Sequence, residues 1–350
     1  MNLFELTRRL IDIPSPSGEE GEVGRFLASH LGGLGYAVES QEVAEGRANV
    51  IATTGARPRV VLSTHMDTVP PSIASAEDEE FIRGRGACDA KGIIAAQIAA
   101  SERLRAEGFA EVGLLFTVDE ELGSIGARAA NDHALARDCE FLINGEPTEN
   151  KLAVGSKGSL RVRLACEGLA AHSAYPEHGD SAIEKLLDVL GSVRGCAWPA
   201  DEFFGETTCN VGTVAGGTRP NVIPAEAEAV LQLRLVTDSS RVKEILERAV
   251  AGRAGIEYLS VAEPVRMRAV EGFESEVVRF TTDIPYLTNW GVPLLLGPGS
   301  ILDAHTAHEK VSKRELEDSV DLYVRLARSL LAVESEVGRG ATAAEGELRR

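Results

Sequence analysis

Three short apolar runs in this chain each end in side chains that do not belong in a hydrophobic interior. They are VVLSTHMD (60–67), GLLFTVDEE (113–121) and CEFLINGEPT (139–148). Each reads as a strand with chemically capable groups just past its carboxyl end. In open α/β sheets that is where sites form. A run of 350 residues exceeds what one core usually holds, so one large domain plus a smaller one is expected.

The order of elements supports two domains. Residues 2–12 read as an amphipathic helix stopped at Pro14, and SGEE (17–20) reads as a capping box opening a second helix through Leu31. Residues 91–107 form an Ala-rich helix. The middle of the chain then changes character. SLRVRLACEG (159–168) alternates apolar and polar residues. Helix, two alternating strands, helix and strand follow, which is the β-α-β-β-α-β order of a ferredoxin-like sandwich. After Pro264 the large domain resumes with VPLLLGPG and a closing helix from Lys313 to Val333, before a polar tail expected to fray. The expectation is an α/β protein with a central mixed sheet flanked by helices (residues 1–157 and 266–350). An α+β ferredoxin-like lid or dimerisation domain is inserted at 158–265.

Composition narrows the function. The 36 basic and 54 acidic residues leave a charge of −18, which disfavours nucleic acid and anionic membranes as partners. No run is apolar enough to span a membrane. The amino-terminal residues lack the pattern of a signal peptide. Five scattered cysteines without a CxxC pair fit buried thiols in a reducing cytoplasm.

The candidate chemistry is spread over five segments. His65 and Asp67 close the first strand, and a carboxylate beside a ligating His commonly fixes its tautomer. Asp89, in GRGACDAKG, reads equally well as a helix N-cap or as a ligand. Asp119, Glu120 and Glu121 crowd three like charges after an apolar strand, which calls for protonation or a cation. Glu146 follows the third strand. His305 and His308 lie in the loop after GPGSI, with His305 preferred because it completes an AH pair. Two His and several carboxylates without thiolate suit zinc, cobalt or manganese. The spacing lacks HExxH. His30, His133 and His178 have no acidic strand end beside them. Cys88 reads as a small buried residue.

The motif order HMDTVP, GRGACDAKG, DEELGS, GEPT, AHSAYPEHG, NVIPAEAEAVLQLR and GPGSI..AHT resembles the di-zinc aminoacylase and carboxypeptidase family, over nearly the whole chain. The resemblance implies a soluble amidohydrolase with two zinc ions, for which cobalt or manganese can substitute. His65 and Glu146 would bind one ion, Glu121 and His305 the other, and Asp89 would bridge them. Asp67 would orient His65, and Glu120 would be the general base and acid acting with a metal-bridging hydroxide. His172, in the lid, would reach the scissile carbonyl oxygen, often across a homodimer. Asn221 and Arg234, with Lys157 and Ser300 as further candidates, would contact substrate. Glu146 and the GPGSI run look most like acetylornithine deacetylase, so an N-acyl amino acid is the first expected substrate. HTAHEKV departs from the family pattern: His308 stands for an acid and Lys310 for an aromatic. A dipeptidase, carboxypeptidase or succinyl-diaminopimelate desuccinylase on the same scaffold is the alternative, and a non-catalytic binding module a third.

Overall fold

The computed structural model describes residues 1–55 and 57–347. The chain divides into two compact units. The first comprises Met1–Val154, Met267–Glu276 and Thr282–Arg350; the second comprises Gly155–Arg266 and Val277–Thr281.

The first unit begins with helices α1 (Leu3–Ile11) and α2 (Gly21–Gly33) and a hairpin of β1 (Ala37–Ala44) and β2 (Arg47–Thr53). It continues with β3 (Val60–His65), α3 (Lys91–Ala106), β4 (Val112–Thr117), α4 (Ile125–Asn131), β5 (Phe141–Asn144) and β6 (Leu152–Ser156). The second unit holds β7 (Gly158–Glu167), α5 (Ala182–Arg194), β8 (Thr208–Gly216), β9 (Glu226–Leu235), α6 (Ser239–Val250) and β10 (Gly255–Ala262). The first unit then resumes with β11 (Val292–Leu295) and α7 (Lys313–Glu347).

The sheet of the first unit runs β1-β2-β4-β3-β5-β11-β6. Its centre, β4-β3-β5-β11, is parallel; the β1–β2, β2–β4 and β11–β6 pairings are antiparallel. The sheet is therefore mixed, as expected. Strand residues alternate between two cores. Val60, Leu62, Leu114, Phe116, Phe141 and Ile143 face a cluster with α1, α2, α3 and α7. Val61, Leu115 and Leu142 face the opposite cluster around Trp290 and α4. Burial on both faces explains why these strands are continuously apolar until the chain leaves the sheet. Parallel order also brings their carboxyl ends to one edge, which is where His65, the 119–121 acids and Glu146 emerge. Trp290 is fully buried, and its indole N–H donates to Ala130 O at 3.0 Å.

The second unit is a four-stranded sheet ordered β8-β9-β7-β10, antiparallel throughout. Helices α5 and α6 cover it over Leu160, Val162, Leu164, Leu231 and Leu233. This is the β-α-β-β-α-β arrangement.

Three local expectations need correction. Val277–Thr281 belongs to the second unit, outside the 158–265 boundary. Lys157 N–H donates to Val278 O at 3.2 Å, and Thr281 Oγ1 donates to Lys157 O at 3.0 Å. Those pairings join segments far apart in sequence and leave no local pattern. The SGEE capping box is not formed: α2 starts after Glu20 without a side-chain cap, and Ser17 Oγ donates to Asp67 Oδ2 at 2.6 Å instead. A capping box forms one helix earlier, between Asn2 and Glu5. Finally, α7 runs through Glu347, past the end expected at Val333; of the tail expected to fray, residues 348–350 lie outside those described. Among the described residues, no helix is long and apolar enough to cross a membrane.

Candidate metal centre

The Gly-flanked segment 84–90 enters α3 without the Asp cap that its sequence suggests. Ala90 occupies the N-cap position, and the Asp89 carboxylate turns inward. Its Oδ1 lies 2.9 Å from His65 Nε2, and its Oδ2 lies 3.3 Å from His305 Nε2. The same His305 nitrogen is 2.9 Å from Glu121 Oε1. One carboxylate thus faces two imidazoles, one through each oxygen. Two atoms bound to one tetrahedral zinc at about 2.0–2.1 Å sit about 3.3 Å apart. The observed 2.9–3.3 Å separations are close to what such an ion needs.

Backbone geometry aims these groups. His305 has φ +64°, and Asp119, just before the catalytic-looking acids, has φ +70°. Non-glycine residues pay to adopt this left-handed region, and such strain gathers at functional sites. Arg47 secures the Asp119 turn: its guanidinium reaches Asp119 Oδ1 at 2.7 Å and Glu20 through two bonds of 2.6 and 2.7 Å.

Asp67 is a hub beside His65. His65 Nδ1 lies 3.0 Å from the Asp67 backbone carbonyl and 3.4 Å from its carboxylate. Donation to that carbonyl leaves Nε2 as the nitrogen with a lone pair for a metal. The Asp67 carboxylate also accepts Ser17 Oγ and the backbone N–H groups of Glu120 (3.1 Å) and Glu121 (3.2 Å). It therefore links the His65 strand end to the acidic turn.

The donor set fits a cation. Glu146 is buried, and its Oε1 has no hydrogen-bond partner. A buried carboxylate oxygen left unpaired costs stability unless a proton or metal meets it. Burial first, then the neighbouring Glu146 charge, pushes Glu120 well above the ordinary carboxyl range. Burial likewise raises Glu146 and Glu121, against the opposing pull of His65 and of the His305 hydrogen bond respectively. Burial would raise Asp89 too, but its hydrogen bonds to His305 and His65 hold it below the usual range. The hydrogen bonds to Asp89 and then to Glu121 raise His305 to about 10. His65, though lowered by burial, ends well above its ordinary value through Asp67 and Asp89.

The other predicted residues fall as follows. His172 is exposed on the second unit, its Nδ1 accepting the Ala174 N–H at 3.1 Å. Asn221 is beside it, its carbonyl accepting the Ser173 N–H. Arg234 donates to Thr281 Oγ1 at 3.3 Å, and Lys157 Nζ donates to Glu206 O at 2.5 Å. Ser300, in the first unit, donates to Glu149 Oε1 at 3.0 Å. His308 is exposed, with its backbone N–H on Thr306, so His305 is the imidazole that meets the acids. Cys88 is buried, as expected, but Cys196 and Cys209 are only half-buried. His30 stacks on Phe26, His133 on Trp290, and His178 is near Glu177.

Two acids escaped the sequence reading. Asp283 is buried, accepts Thr117 Oγ1 at 2.7 Å, and is raised to about 6, mainly by burial. Glu309 is buried in the loop that carries His305. Neither follows an apolar strand, the signal that exposed the others.

The model of peptidase family M20/M25/M40 matches residues 61–329. The chain belongs to that family. As a family member it is an enzyme of a metal-dependent group that hydrolyses amides. A peptidase M20 domain-containing protein of Schizosaccharomyces pombe is 38% identical, covering 93% of this chain and 84% of the relative. A probable carboxypeptidase of Paracoccidioides brasiliensis is 37% identical, covering 93% and 84%. The M20 family metallo-carboxypeptidase Sso-CP2 of Sulfolobus solfataricus shares the fold, with a TM-score of 0.77 at 17% identity over 93% of this chain and 98% of that one.

Proposed function

We propose that this M20 enzyme is a two-metal hydrolase that cleaves the amide joining an acyl or peptidyl group to an amino acid with a free carboxylate. The observation that carries it is Asp89, with one oxygen toward His65 and the other toward His305. His65 and Glu146 would hold one ion, Glu121 and His305 the second, with zinc the first choice and cobalt or manganese as substitutes. Bound there, the ions would supply Lewis acidity toward the carbonyl and toward water.

The chain's own groups do the rest. The Glu120 backbone is pinned to Asp67, which anchors the base of its carboxylate. It would accept a proton from water and deliver it to the departing amine nitrogen. Its neighbour Glu121 is turned to His305, so the two acids divide proton transfer from ligation. His172 Nε2 is the nitrogen we assign to the scissile carbonyl oxygen, as an oxyanion donor. Lys157, Arg234 and Arg279 make the second unit locally basic within a chain of charge −18. Arg234 suits a substrate carboxylate, which a guanidinium can bind through two parallel bonds.

Relatives named as probable carboxypeptidases move the weight from an acetyl to a peptidyl group on the amine. The acetylornithine-type deacylase remains the second reading, favoured by Glu146 and GPGSI. A hydrolysis panel separates them, using dipeptides, longer peptides, N-acetylornithine, other N-acyl amino acids and N-succinyl-diaminopimelate with zinc or cobalt. We expect higher kcat/KM on dipeptides and short peptides with a free terminal carboxylate. Preference for N-acetylornithine would establish the second reading instead.

We further propose a cytoplasmic homodimer formed through the second unit. β8 lies at the edge of its sheet and is largely exposed, the kind of edge another chain can pair with. Sedimentation should show a dimer that Val214→Lys or Gly212→Pro dissociates. A monomeric wild-type protein at micromolar concentration would remove this part of the proposal.

A further inference from the structure

The loop that carries Asp89 has a problem that its own sequence cannot solve. Residues 84–90 form successive turns before α3, so several N–H groups face inward with no strand or helix partner. One buried carboxylate meets them. Glu309 Oε1 accepts the backbone N–H of Gly86 at 2.9 Å and those of Cys88 and Asp89 at 3.3 Å each. Its Oε2 accepts Arg85 Nη1 at 2.5 Å. Arg85 Nη1 also donates to Thr306 O at 3.2 Å, next to His305. Both side chains are almost completely buried.

A small side sheet fixes the register. Lys310–Ser312 pairs antiparallel with Phe81–Arg83, with Lys310 opposite Arg83, and Gly84 N–H donates to Glu309 O at 3.1 Å. Glu309 is thereby placed beside the Asp89 loop while remaining four residues beyond His305 in the same segment. A buried ion pair is a poor source of stability, since desolvation offsets much of its attraction. Its value here is geometric: charge-assisted bonds are short and directional.

We propose that Arg85 and Glu309 form a positioning pair that sets Asp89 and His305 at their mutual distance, and so builds the metal position made by Asp89, Glu121 and His305. The pair touches neither substrate nor metal. It acts through the backbone of the Asp89 loop and through the carbonyl beside His305. His65 and Glu146 are carried by β3 and the end of β5, so the other position depends on it less. The proposal rests on the two-metal reading above.

The test is metal binding to chelator-treated protein, titrated with zinc and with cobalt by calorimetry. The wild type should take two ions. Glu309→Gln, which keeps the shape but loses the charge, should still take the first ion, with a smaller loss of affinity than the second. Its second ion should bind about 10–100-fold more weakly, the usual effect of losing a partner that orients a ligand. Arg85→Lys keeps a cation for Glu309 but not the fork that also reaches Thr306, and should weaken the second ion alike. If Glu309→Gln does not fold, Arg85→Lys decides on the same measurement. Glu309→Asp, one carbon shorter, should restore less than the wild type but more than Gln. Thermal unfolding in chelator separates a merely structural role, which would lower Tm while leaving both affinities intact in the folded protein. Two wild-type affinities in the folded variants would overturn the pairing, as would equal weakening of both ions. Failure of the wild type to bind any ion would instead overturn the two-metal reading.

Discussion

Replacing Glu120 by alanine should abolish turnover while leaving metal content unchanged. General acid–base groups contribute about 10²–10⁴-fold, and this one would serve both the attack and the departure of the amine. The loss should fall on kcat, because the side chain would act on a proton and not on substrate binding. The neighbouring acid gives the control. Glu121→Ala removes a group 2.9 Å from His305 Nε2 and should lose an ion as well as activity. The measurements are steady-state kinetics and elemental analysis on the same preparations. If Glu120→Ala lost metal and kept kcat on reconstitution, the division of labour between the two acids would be reversed.

The second large effect concerns metal removal and pH. Chelation should abolish activity, with recovery on adding zinc or cobalt, and should lower Tm. A ligand that binds only the folded state stabilises by about 4 kcal/mol at a thousand times its dissociation constant. Affinity should also depend steeply on pH. In the metal-free protein His305 is raised to about 10 by Asp89 and Glu121, and Glu146 is held above the carboxyl range, chiefly by burial. These protons must leave before the atoms can bind metal. Raising the pH toward the elevated values removes the competing protons, so affinity rises with pH. It should change about tenfold per pH unit for each proton displaced. Between pH 6 and 8 calorimetry in buffers of different ionisation enthalpy should count at least one proton released per ion. An affinity independent of pH would show that the two imidazoles and Glu146 are not ligands.

Much of the site could be read from residue order because parallel strands impose a rule. A strand buried on both faces must be apolar until it leaves the sheet, so the first polar residues mark its carboxyl end. His65, Glu120, Glu121 and Glu146 all follow such runs, and β3, β4 and β5 lie side by side with their ends together. Asp89 was less legible, since an Asp before a helix is ordinarily a cap. Only the inward turn of its side chain, with Ala90 at the cap, separates the two roles. His305 and His308 could not be told apart by residue type; position in the loop turns His305 onto Asp89 and Glu121.

The supporting residues were not legible at all. Ser17 has the local pattern of a helix cap and is used on Asp67. Arg47 sits in an ordinary strand, yet holds Asp119. Glu309 belongs to a charged loop and serves the amides of a segment more than two hundred residues away in sequence. A ligand's residue type and its place at a strand end follow from short-range chemistry, which is written along the chain. The distance between Asp89 and His305, the nitrogen that His65 keeps for metal and the grip of Glu309 on the Asp89 loop depend on which distant segments meet. Burial and chain crossing settle those meetings, and they leave almost no periodic trace in the residues themselves.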